Sequence, residues 1–210
     1  NPFLIEDVRH REFSAKRVAA MGEIHFTDLV GISLHKNGYA RVLQRRGGSV
    51  LVDFAAICRV VKGMKRFNLG CIGARTTAFK TVRFDEVTLQ RYGINVESFD
   101  LSELVFAVQN KKDDDPEVVA KKERLENYTD FTKVPETNKL TLAKISVVID
   151  DYIRDYHLDA ITLRCWNEME TILRVCPCVL LSELNDRGIV ASCEIDLCSC
   201  LLYTSDAADE

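Results

Sequence analysis

The chain has 210 residues, 47% of them hydrophobic and 29% charged, with a formal net charge of −4. That is the balance of a soluble protein long enough for one large domain or parts of two. The acidic excess argues against a general nucleic-acid binder, because neutralising phosphates needs a basic field, and no apolar run approaches the length of a membrane span.

The opening Asn1-Pro2-Phe3-Leu4-Ile5 has neither the basic start nor the apolar core of an export signal, so a cytoplasmic protein is expected. It has no initiator Met, and the chain reads as lacking its true beginning. Residues 5–22 read as a helix, Phe26–Leu34 as a strand or helix entry, and Tyr39–Leu43 as undecided. Ser49–Lys62 shows a clearer helical stripe of Leu51, Phe54, Cys58 and Val61 after the Gly47-Gly48 break. Phe67–Gly73 is expected to be a buried strand. Asp85 should cap a short helix ending at Arg91 and Gly93, with a second strand at Ile94–Phe99. Asp100-x-x-Glu103 is a capping box, and Asp115-Pro116 an N-cap and N1 pair for a charged helix over 117–127. The longest amphipathic helix is expected over Lys139–His157, from the recurrence of Leu142, Ile145, Val148, Ile149, Tyr152 and Ile153. Then come a strand at Ala160–Leu163, a helical crossover through Val179–Leu184 closed by Gly188, and a strand at Ile189–Ala191. Strands joined by so long a crossover are parallel in the simplest arrangement. The alternation of strand and helix is that of an α/β doubly wound, mostly parallel sheet.

Ligands of such sheets bind in the crevice outside the carboxyl ends of the strands. Glu168 follows the first strand of the late pair, and Glu194 and Asp196 follow the second. Carboxylates from adjacent strand ends can converge on one hard cation. Taken alone, an acid after a strand is more often a helix cap. The loop Gly70-x-x-Gly73-x-Arg75-Thr76-Thr77 lacks the spacing of a phosphate-binding loop and reads as a tight turn, with Arg75 or Arg83 lining a cleft or interface. Of the eight cysteines, Cys176, Cys178, Cys193, Cys198 and Cys200 crowd the end. Their Cys-x-Cys spacing and distance from any histidine disfavour zinc, and reduced, mostly buried thiols are expected.

Two stretches together resemble the L-fucose isomerase-like family, which includes relatives of L-fucose and L-arabinose isomerases. The first is Gly73-Ala-Arg75-Thr-Thr-Ala-Phe79-Lys-Thr81-Val-Arg83-Phe-Asp85-Glu86, with Gly93-Ile94 and Asp100-Leu-Ser102-Glu103. The second is Cys165-Trp166-Asn167-Glu168, Pro177-Cys178, Leu184-Asn185-x-x-Gly188 and Cys193-Glu194-Ile195-Asp196. Asn167 stands where the family often has proline. The resemblance implies the tail of one α/β domain over 1–62, a second α/β domain over 63–193 and the start of a β-rich domain over 194–201. Residues 202–210 fit no part of that pattern and read as a tail outside the fold, either translated adaptor sequence or frayed polar chain.

The resemblance also implies a metal-dependent aldose–ketose isomerase acting on a monosaccharide such as L-fucose or L-arabinose, through an enediolate, in a homo-oligomer. Glu168 and Asp196 would hold Mn²⁺ or another divalent cation and carry the proton chemistry. A third ligand, a histidine, would lie beyond the end of this chain, leaving the chain by itself incomplete for activity. Trp166 is a candidate wall of the sugar pocket, or a core residue. Arg75 is a candidate contact to substrate or to a neighbouring subunit. The competing class is a non-catalytic sugar-binding or regulatory α/β module, which needs the crevice but no metal.

Overall fold

The structure, a computed structural model, describes residues 57–206, with side chains through Leu202. The elements expected at 5–22, Phe26–Leu34 and Tyr39–Leu43, and the first part of the helix expected over Ser49–Lys62, lie outside those residues; 57–64 are helical. Among the described residues, those from Arg59 onward form one compact unit. In order it contains β1 (Phe67–Ile72), α1 (Glu86–Arg91), β2 (Ile94–Phe99), α2 (Leu101–Asn110), α3 (Pro116–Tyr128) and α4 (Glu136–Asp155). These are followed by β3 (Ala160–Leu163), α5 (Glu168–Ile172), α6 (Cys178–Asp186), β4 (Val190–Cys193) and α7 (Leu197–Asp206). No helix among the described residues is long and apolar enough to cross a membrane.

The four strands form one sheet in the order β2-β1-β3-β4, and every pair is parallel. Alternate residues feed two cores, as a pleated strand requires. Phe67, Leu69, Cys71, Ile94, Val96 and Ala160 pack with Leu89 of α1 and with Leu197 and Cys200 of α7. Ile72, Phe99, Ile161 and Leu163 pack with Leu104 of α2, Ile145 and Ile149 of α4, and Leu180 and Leu184 of α6. Helices therefore cover both faces, and the sheet is doubly wound, as the alternation of elements in the sequence implies.

The caps follow from local chemistry. The side chains of Asp85, Asp100 and Asp115 each accept a backbone N–H of the following first turn. Helix α4 begins at Glu136, earlier than its apolar stripe, because the polar first turn contributes backbone but no periodic signal; the carbonyl of Pro135 accepts the N–H of Lys139. It also ends earlier than expected. His157 takes the left-handed conformation (φ 51°), and Leu158 N–H donates to the Ile153 carbonyl, so the terminus closes as a Schellman motif. Gly188 closes α6 in the same way, with Ile189 N–H donating to Leu184. Helix α5 has too few residues to show a period and is absent from the sequence reading. Helix α7 runs on to Asp206, past Leu202, where that reading set the fold aside.

On the outer side of the α3-α4-α6 layer, Glu183 is almost fully buried among charges. Arg124 Nε lies 2.6 Å from one of its oxygens, and Arg187 Nη1 donates to the other at 3.2 Å. Asp150 meets Lys121 at 2.6 Å and Arg187 at 2.8 Å, so three helices share one ion network.

Gly93 marks the tightest approach beside the sheet. Its φ is +90°, and a Cβ there would sit 2.3 Å from the backbone carbonyl oxygen of Lys65. Gly93→Ala should therefore destabilise this unit by about 2–3 kcal/mol, combining left-handed strain with displacement of the entry to β1. Urea unfolding followed by circular dichroism measures the difference; a loss below about 0.5 kcal/mol, the range of ordinary surface changes, would show that the turn relaxes freely.

Candidate functional site

The strand order reverses between β1 and β3: β2 lies on one side of β1, while β3 and β4 lie on the other. This is the switch point at which open α/β sheets form a crevice. Register aligns the strand ends, because Ile72 pairs with both Phe99 and Leu163, and Leu163 pairs with Cys193. The ladder continues one step further. Gly73 N–H donates to Phe99, Arg164 N–H to Ile72 and Glu194 N–H to Leu163, each at 2.8–2.9 Å. The loops that follow β1, β3 and β4 thus leave one edge of the sheet together.

Glu194 ties those loops to one another. It is only 8% exposed. Its Oε1 accepts the backbone N–H of Cys165 at 3.0 Å, the Cys165 thiol at 3.0 Å and the Trp166 N–H at 2.9 Å. Its Oε2 accepts the Thr76 hydroxyl at 2.9 Å. Burial raises the carboxyl pKa, but the hydrogen bonds from Cys165, Trp166 and Thr76 outweigh it and hold the group below its ordinary value. The Cys165 thiol is pushed up, first by burial and then by the adjacent carboxylate. Glu194 and Ile195 both adopt left-handed backbone, with φ of 56° and 63°. Two such residues in succession are held by their surroundings, as is common at functional sites.

Glu168 opens α5 beneath this clamp. Arg164 Nη2 donates to its Oε1 at 2.6 Å. Its Oε2 is buried and has no hydrogen-bond partner. Asp196 precedes α7 and caps it: Oδ1 accepts the Ser199 N–H at 3.1 Å and Oδ2 the Ser199 hydroxyl at 2.7 Å. The structure therefore places Glu168, Glu194 and Asp196 at the same end of neighbouring strands, with three different employments. Glu194 has both oxygens occupied. Asp196 spends one hydrogen bond on each. Glu168 keeps one oxygen unmatched.

Trp166 is 40% exposed, so it is not a core residue, and it packs edge-on against Phe79 with ring centroids 5.3 Å apart. The peptide between Trp166 and Asn167 is cis. Arg75 is turned into its own loop: its Nη1 donates to the carbonyls of Thr76, Thr77 and Phe79. That loop is a tight turn, as its glycine spacing implies. Gly73, with φ of +90°, admits the Arg164 side chain to within 3.0 Å of where a Cβ would stand. The cysteines differ from expectation. None of the eight forms a disulfide, but Cys176, Cys178, Cys193 and Cys198 are exposed. Cys178 and Cys198 lie on helix starts, Cys193 ends β4, and Cys176 lies in the loop before α6. Cys71, Cys165 and Cys200 are buried, and burial is the main cause that pushes Cys71 up to about 12 and Cys200 up to about 11.

The donor set fits a hard divalent cation in part. A buried carboxylate oxygen without a partner is what such an ion satisfies, and each Asp196 oxygen retains a second lone pair. Among the described residues, no group of three or more His, Cys, Asp and Glu side chains is placed to hold an ion. The two carboxylates could supply at most part of a coordination shell.

No family model matches the chain. It is similar to proteins named sulfoquinovose isomerase. The protein from Priestia aryabhattai is 27% identical over 142 residues, covering 67% of this chain and 31% of that protein. The one from Alkalicoccus urumqiensis is 28% identical over 159 residues, covering 74% and 34%. The one from Clostridium sp. is 26% identical over 113 residues, covering 54% and 25%. The chain thus spans about a third of the length of the curated relatives it matches. The relatives are sugar isomerases. The resemblance carried by the two motif blocks is upheld at that level, while the sugar in the relatives' name is neither L-fucose nor L-arabinose.

The residues that sequence reasoning passed over are Thr76 and Arg164, together with the clamping role of Glu194. Glu194 stood there beside Asp196 as an acid that follows the last strand. The signal that separates them is burial, which two acids so close in sequence do not reveal.

Proposed function

We propose that the chain forms part of an aldose–ketose isomerase, with Glu168 and Asp196 contributing ligands to a divalent cation, Mn²⁺ in the first instance. The observation that supports this best is the buried, unpartnered Glu168 Oε2 at the switch point of the sheet. The substrate proposed is sulfoquinovose, the sugar in the relatives' name, ahead of L-fucose or L-arabinose.

Moving a carbonyl from C1 to C2 of an open-chain sugar requires a proton taken from C2 and returned to C1, while the hydroxyl proton on O2 is given up and one is gained on O1. A bound divalent cation would supply Lewis-acid polarisation of the sugar oxygens and stabilise enediolate charge. Glu168 is the group proposed to take and return the proton, on the lone pair of Oε2 that the cation would leave open, since that oxygen has no hydrogen bond that would have to break first. Glu194 keeps the Cys165–Trp166 backbone in place as Glu168 works, and each of its own oxygens already accepts a hydrogen bond. Trp166 and Phe79 offer an apolar edge on the loops that leave this end of the sheet. A homo-oligomer belongs to the same proposal.

The test uses the protein that carries this chain, stripped with chelator and then given Mn²⁺. Proton NMR follows conversion of sulfoquinovose, L-fucose and L-arabinose to their ketoses. Metal-restored conversion is the expected result, fastest on sulfoquinovose. Failure to isomerise any of the three with Mn²⁺, Mg²⁺ or Co²⁺ would leave the non-catalytic sugar-binding module as the better reading.

A further inference from the structure

Arg164 leaves β3 with its backbone held by the Ile72 carbonyl at 2.9 Å. Its side chain passes over Gly73, where no Cβ obstructs it, and is largely buried. Nη2 then reaches Glu168 Oε1 at 2.6 Å, while Nε lies 3.5 Å from the Trp166 carbonyl. The same carbonyl receives the Thr76 hydroxyl at 3.2 Å. The guanidinium therefore spans the Trp166 turn from inside and grips one of the two Glu168 oxygens. Only the other oxygen is left without a partner.

We infer that Arg164 is a positioning residue that presents Glu168 to the cation through Oε2 alone. This rests on the proposed function above and adds to it a role for a residue that touches neither sugar nor metal. A carboxylate free to rotate can bind a cation through either oxygen or both, or swing into solvent. A charge-assisted hydrogen bond at 2.6 Å on Oε1 removes that freedom. Partners of this kind behind a metal ligand typically change metal affinity 10–100-fold when removed. Glycine at position 73 is part of the device, because a side chain there would crowd Arg164 at its Cβ.

The experiment measures the Mn²⁺ dissociation constant of the protein carrying this chain, by the electron paramagnetic resonance signal of free Mn²⁺. Wild type, Arg164→Met, Arg164→Lys and Glu168→Gln are compared, with folding checked by circular dichroism. Arg164→Met should weaken Mn²⁺ binding by roughly 10–100-fold. Arg164→Lys, which keeps the charge but loses the fork, should fall between it and wild type, and it decides the matter if the Met variant folds poorly. Turnover at saturating Mn²⁺ should fall in kcat more than it rises in KM for the sugar. Unchanged or tighter Mn²⁺ binding in both Arg164 variants, alongside weakened binding in Glu168→Gln, would overturn the inference and leave the metal reading standing. A guanidinium that merely competes with the cation would give the tighter result. Unchanged binding in Glu168→Gln would remove Glu168 as a ligand, and this inference with it.

Discussion

Glu168→Gln is expected to lower kcat by about a thousand-fold or more while leaving the fold in place. Loss of a positioned general base alone is worth roughly 10²–10⁴ in rate, and the same change weakens a proposed metal ligand. The fold should tolerate it for a local reason. A glutamine carbonyl still accepts the Arg164 hydrogen bond on the Oε1 side, and the other position has no hydrogen-bond partner to lose. Steady-state isomerase kinetics, run beside thermal unfolding of the same preparation, separate the two effects. Turnover within about ten-fold of wild type would exclude Glu168 from the chemistry, since that is less than a single general base contributes.

Glu194→Ala is expected to produce the largest loss of stability among single substitutions at this site. Truncation strands the backbone N–H groups of Cys165 and Trp166 and the Cys165 thiol, while the Thr76 hydroxyl is left with the Trp166 carbonyl as its acceptor. A buried donor left without an acceptor costs about 1–3 kcal/mol, so a loss of roughly 4 kcal/mol follows for the group even after partial relaxation. Glu194→Gln should lose much less. Its carbonyl can accept from Cys165 and Trp166, and its amide can donate to Thr76. The two variants also differ in pH dependence. The folded-state pKa of Glu194 lies below its unfolded value, so the ionised carboxylate stabilises the native state fully above the unfolded pKa of about 4.3. That contribution fades as pH falls through the lower folded value. The stability difference between wild type and Glu194→Gln should accordingly be constant at neutral pH and shrink below about pH 4. Urea unfolding at pH 7 and at pH 3.5 measures it. A difference that grows on acidification would mean that the buried group is held protonated.

Much of the architecture was legible because its causes are local. Asp85, Asp100 and Asp115 announce their helices through side chains that reach only a turn ahead. Gly188 announces the end of α6, and the β-branched run at 160–163 announces the central strand. The alternation of such signals is enough for a parallel, doubly wound sheet, because parallel strands need crossovers and crossovers cover faces. What failed was also local, but too short to have a period: α5, the first turn of α4 and the exposed setting of four cysteines.

The order of residues along this chain by itself determined that acidic side chains follow two strands, and hence which end of a parallel sheet they share. It could not apportion their work. Glu194 differs from Asp196 only because loops from residues 76 and 165–166, remote in sequence, fold over one and leave the other at the mouth of a helix. Arg75 and Arg164 find their partners within four residues, and there the conformation of the loop decides which carbonyl or carboxylate each reaches. The partners of Glu194 are allotted by what arrives at bonding distance from remote loops, and the register of the strands decides that, not spacing along the chain.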